Sequence, residues 1–69
     1  MIELTLKTGE KMKFRFKQEI HFLFLFYTLK GEYDFQNVDK KIRLKTESNQ
    51  KEYYISEFEK CEIIDENTN

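Results

Sequence analysis

Ten residues constrain this chain more than the rest of it. Ile20-His21-Phe22-Leu23-Phe24-Leu25-Phe26-Tyr27-Thr28-Leu29 puts eight large apolar side chains in ten positions of an otherwise charged sequence. Coiled as a helix, with about 100° of turn per residue, the run places Ile20, Leu23, Phe24 and Tyr27 on one side. Phe22, Leu25, Phe26 and Leu29 fall on the other. A helix that is apolar all round is normally buried all round. Sixty-nine residues supply too little body to bury both faces, so one face is expected to wait for another chain.

The length bounds the other options. A domain of this size buries only about 60% of the surface its unfolded chain exposes, and small scaffolds often compensate with disulfides, a metal or oligomerisation. Cys61 is the only cysteine and His21 the only histidine. An internal disulfide is therefore excluded, and the usual soft ligands of a structural zinc site are missing. Oligomerisation is left, and a homodimer is expected, with no cofactor and no metal. Seven Phe and four Tyr supply rings enough for a compact core. The charged, strand-like opening after Met1 does not read as a secretory leader, and the apolar run is shorter than the roughly 20 residues a bilayer crossing needs. A lone cysteine suits a reducing compartment. These features point to a cytoplasmic protein with no membrane segment.

Along the chain, residues 2–17 read as a β-hairpin. Ile2, Leu4 and Leu6 alternate with Glu3, Thr5 and Lys7; beyond Thr8-Gly9-Glu10, Met12, Phe14 and Phe16 alternate with Lys11, Lys13, Arg15 and Lys17. Period two on both arms with Gly in a short connection is the signature of a hairpin with one covered face. The apolar run is compatible with helix or buried strand, since periodicity alone does not separate them; its length favours helix. Lys30-Gly31 gives that helix a basic last turn and a stop. Tyr33-Asp34-Phe35 reads as a short strand, and Gln36 to Asp39 as a turn. Ile42, Leu44 and Thr46 alternate with Lys41, Arg43 and Lys45 in a further strand; Glu47 to Gln50 form a polar turn, and Glu52 to Ile55 return. Ser56-Glu57-Phe58-Glu59 matches a capping box for one helical turn, and Cys61 to Ile64 make the last strand. The expected architecture is α+β: a twisted antiparallel sheet, formed by the N-terminal hairpin and a C-terminal β-meander, with one central helix packed on a face. Residues 1–64 form the domain, and 65–69 a disordered tail.

Catalytic constellations are thin. Gly9 and Gly31 are the only glycines, so no phosphate-cradling loop exists. Cys61 and His21 are the only thiol–imidazole pair, and Cys61 reads better as a small core residue of the last strand. His21 sits between the two apolar helix faces, in a structural or interface role. Glu57, Glu59 and Glu62 read as a solvated acidic surface, because calcium loops place their acids around a glycine and none follows Gly31. Lys11, Lys13, Arg15 and Lys17, together with Lys41, Arg43 and Lys45, would make one positive surface for a phosphate backbone if their strands share a sheet. Against that, Glu3, Glu10 and Glu52 are placed to pair with them across strands. Phe14 and Phe16 alternate out of phase with the bases and turn inward, which leaves only Tyr53 or Tyr54 for base stacking.

Charge is also split along the chain. Residues 1–31 hold six basic and three acidic residues, and residues 32–69 hold six basic and ten acidic.

The opening Met1-Ile2-Glu3-Leu4-Thr5-Leu6-Lys7-Thr8-Gly9, the Lys/Glu/Asn/Ile/Phe-rich vocabulary and the closing Tyr54-Ile55-Ser56-Glu57-Phe58-Glu59 resemble, over the full length and in style, the small accessory proteins of bacteriophages and prophages. The resemblance implies a protein that binds and blocks a host protein, as anti-CRISPR inhibitors of defence nucleases do; it carries no functional residue with it.

The function expected from the residues is therefore non-enzymatic protein–protein interaction. Phe22, Leu25, Phe26 and Leu29 would be the anchors of a helical interface, since exposed apolar patches mark interaction sites. Glu57, Glu59 and Glu62 would meet a basic target. The alternative is a small nucleic-acid binder that uses Lys13, Arg15, Arg43 and Lys45.

Overall fold

The computed structural model describes residues 1–45 and 50–65. The chain runs β1 (Ile2–Leu6), β2 (Lys11–Phe14), α1 (Glu19–Gln36), β3 (Lys41–Lys45), β4 (Gln50–Tyr54), one 3₁₀ turn (Ile55–Glu57) and β5 (Phe58–Ile63). It is a small α+β fold, with one helix packed on antiparallel sheets.

The N-terminal hairpin forms as its alternation requires. Ile2 lies opposite Phe14 and Leu4 opposite Met12, so the apolar members share one face, while Glu3, Thr5, Lys11 and Lys13 share the other. Gly9 closes the turn at φ 93°, a conformation that suits glycine; its N–H bonds Leu6 C=O at 2.9 Å.

The C-terminal strands differ from the expected meander. β3 pairs with β4 in a sheet of two, but β5 crosses to the far end of the chain and pairs antiparallel with β1, giving a second sheet of order β2-β1-β5. Between Thr5 and Leu6 the register slips, because Glu59 is one residue more than β1 can match; such a bulge bends the strand locally. The single turn before β5 is present, but its acid is Glu57, which accepts the Tyr54 N–H at 2.8 Å. Ser56 instead bonds Asp39 through both its N–H (3.0 Å) and its hydroxyl (2.6 Å). Of the turn expected over 47–50, Gln50 already opens β4, and 47–49 lie outside the described residues, as do Thr46 and 66–69.

Helix α1 is longer than the apolar run. It continues through Gly31 and absorbs Tyr33-Asp34-Phe35, the segment expected as a strand. Asn37 ends it in the left-handed region at φ 59°, which asparagine tolerates, with its N–H on Tyr33 C=O at 3.0 Å. Inside a helix, glycine is about 1 kcal/mol less favourable than alanine, and a methyl group placed on Gly31 would meet nothing within 4 Å among the described residues. None of those residues requires glycine there.

One core joins the helix and both sheets: Ile2, Leu4, Leu6, Phe26, Ile42, Leu44, Ile55, Phe58 and Cys61 are buried in a single cluster. Phe26 is its helical centre, edge-on to Phe58 with ring centroids 5.7 Å apart. Phe22 stacks on Phe16 at 4.5 Å. Cys61 is a buried free thiol, as a core position requires. Burial pushes its pKa up from 9.0 to about 11.

Candidate interaction surface on helix α1

The rotation of α1 about its axis decides which apolar ridge is left outside. Two polar contacts set it. Tyr27 reaches the outer edge of β5, where its hydroxyl bonds the backbone of Cys61, and Lys30 Nζ donates to Phe58 C=O at 3.0 Å. With these two against β5, Phe26 turns onto the core and is 0% exposed, and Phe22, Leu29 and Tyr33 pack around it.

That rotation overturns the expected anchor set. Phe22, Phe26 and Leu29 belong to the inner ridge and are spent on the core. Of the four, only Leu25 stays exposed, at 52%. The outer ridge is formed by Ile20, Phe24, Thr28, Gly31 and Phe35, which fall within an arc of about 80° at 100° per residue. Phe24 is 68% exposed and Phe35 91%. His21 is exposed on the flank of this ridge. The longer helix is the signal that identifies the ridge: carried past Gly31, the 3.6-residue period aligns Tyr33 with Phe26 and Leu29, and Phe35 with Phe24.

The acids expected to form a second patch each hold a local position in or beside β5. Glu57 caps the 3₁₀ turn, Glu59 occupies the bulge, and Glu62 bonds Lys60 at 2.8 Å. The Lys60 contact holds Glu62 below the usual carboxylate range, and Glu62 raises Lys60 in turn.

The basic stripes do not merge into one sheet. Lys13 stands on β2 and Arg15 just beyond it, in the three-stranded sheet and its continuation; Arg43 and Lys45 stand on β3, in the other sheet. Cross-strand pairing takes up part of each stripe, with Lys11 3.8 Å from Glu3 and Arg43 3.6 Å from Glu52. Of the two tyrosines available for stacking, Tyr53 turns toward Met12, its hydroxyl 3.6 Å from the sulfur. Tyr54 lies under Lys41, whose Nζ is 5.3 Å from the ring centre.

Among the described residues no group of His, Cys, Asp and Glu is placed to hold a metal, and no helix is long and apolar enough to cross a membrane. No protein-family model, curated protein or solved structure matches the chain. What it does has to be read from its own surface.

Proposed function

We propose that this chain is a non-enzymatic protein-interaction module, working in the cytoplasm, whose binding surface is the outer ridge of α1. One observation carries the reading. Phe24 and Phe35 stand 68% and 91% exposed on a helix whose opposite ridge already makes the core. A small protein gains nothing for its own fold from two such rings in water, and contiguous exposed apolar surface marks sites of protein contact. A helix that presents large side chains along one face is also a recurrent way of entering a partner's groove. The resemblance to phage accessory proteins adds the kind of work such a module does, namely blocking a host protein by occupying it.

The test is a comparison of wild type with Phe24→Ser/Phe35→Ser as immobilised bait, offered cell proteins, a differently tagged copy of the chain, and DNA and RNA at low salt. The reading expects protein capture that the double substitution abolishes. Retention of nucleic acid that falls steeply with salt and is indifferent to the double substitution, with no protein lost, would replace it with the nucleic-acid reading.

A further inference from the structure

The outer ridge has a symmetry of its own. Four of its five members follow the order large, small, small, large at Phe24, Thr28, Gly31 and Phe35, with Ile20 outside the pattern. The outer pair and the inner pair share one midpoint, between Leu29 and Lys30. We infer that the occupant of the outer ridge is the same ridge of a second copy, crossed antiparallel about a two-fold axis at that midpoint; this rests on the ridge being a protein-binding surface.

Such an axis makes the pattern self-complementary, as an isologous contact must be. Phe24 of one copy lies over Phe35 of the other at both ends, and Thr28 lies over Gly31 in the middle. The two rings are eleven residues, or about 16 Å, apart along the helix, so each end of the contact has its own ring pair while the centre is left slim. Interaxial distance depends on the side chains at the crossing, and glycine is the residue that lets backbones approach closely. Gly31 is the independent sign of this. Glycine is a poorer helix former than alanine, and a methyl group there would touch nothing within 4 Å among the described residues, so the space over it is open to a second chain. A parallel arrangement would stack Phe24 on Phe24, Phe35 on Phe35 and Gly31 on Gly31, spreading the helices at two points and leaving a gap at the third.

The area is of the right order. At about 150–250 Å² for a fully buried ring, Phe24 and Phe35 contribute about 300 Å² per copy. Ile20, Leu25, Val38 and the backbone around Gly31 extend this toward the roughly 800 Å² per partner of a standard interface.

The experiment is sedimentation equilibrium of the purified chain over a concentration series, beside Phe24→Ser/Phe35→Ser and Gly31→Ala, with circular dichroism to show that each is folded. Wild type is expected to rise from 8.5 kDa toward twice that mass. The double variant is expected to remain at the single-chain mass with native secondary structure. Gly31→Ala is the decisive variant, because alanine is the better helix former. It is expected to raise the thermal midpoint of the isolated chain while weakening self-association at least about tenfold, since an added methyl overpacks the crossing. A Gly31→Ala chain that associates as well as wild type overturns the inference. So does wild type that stays at single-chain mass throughout; if the bait still loses foreign proteins on the double substitution, the ridge reading survives with a different occupant. A dimer that persists in the double variant also overturns the inference, and the ridge reading falls with it only if the bait keeps its captured proteins after the double substitution.

Discussion

The hydroxyl of Tyr27 lies between the two backbone polar groups of Cys61, accepting from its N–H at 3.2 Å and donating to its C=O at 2.9 Å. This places a side chain from α1 where another strand would otherwise pair with β5. It closes part of an open sheet edge, a common site of unwanted association, and it fixes the helix in rotation. Tyr27→Phe keeps the ring and removes both bonds. A loss of about 1–2 kcal/mol in urea unfolding is expected, together with faster hydrogen exchange at the Cys61 amide. Unchanged exchange there would mean that the bond does not hold in solution.

The two ridges of α1 are expected to separate stability from association. Phe26→Ala empties the centre of the core and should cost about 3–5 kcal/mol, which approaches the whole stability of a domain this small; loss of the cooperative transition is the expected readout. Phe24→Ser/Phe35→Ser removes side chains that face water, and its unfolding midpoint should lie close to that of wild type under conditions where both are monomeric. Similar losses from both would contradict the assignment of inner and outer ridge.

Cys61 is expected to make the fold sensitive to alkali. Burial pushes its thiol up from 9.0 to about 11, so the folded state holds the proton more tightly. The stabilisation is fully present below pH 9 and is lost as pH rises toward 11. Cys61→Ala should have a shallower decline over that window, although it is less stable at pH 7. Parallel declines would remove Cys61 as the cause.

Thr5 is buried on the face of β1 opposite to Leu4, and its hydroxyl finds no hydrogen-bond partner among the described residues. A buried polar group in that state is costly. Thr5→Val keeps the branched shape and discards the hydroxyl, and should raise stability by about 1 kcal/mol in the same unfolding assay. A lower midpoint would show that the hydroxyl is satisfied in solution.

What could be read from residues alone follows from how local each signal is. β1, β2 and β3 show because a strand with one dry face imposes period two on its own sequence. The pairing of β5 with β1 leaves no such trace, since it joins opposite ends of the chain; a meander was the local guess, and two sheets are the outcome. The apolar run marks a helix but not its rotation. With large side chains at Phe22, Leu23, Phe24, Leu25 and Phe26 in succession, every rotation buries something apolar, and the choice falls to Tyr27 and Lys30 reaching the edge of β5. Gly31 read as a stop because a glycine inside a helix is indistinguishable in sequence from one that ends it. Of the expected anchors Phe26 is buried in the core, while Phe24 and Phe35 are the exposed rings.

Position 35 is where contact with a partner is tested most directly. With a photoreactive benzoylphenylalanine in place of Phe35, irradiation of expressing cells should give covalent adducts to protein, among them a species of twice the chain's mass. The same group at Arg43, on the basic face of β3, should give few. Adducts at position 43 on nucleic acid or protein, with none at position 35, would show that the outer ridge of α1 is not where this protein meets its partner.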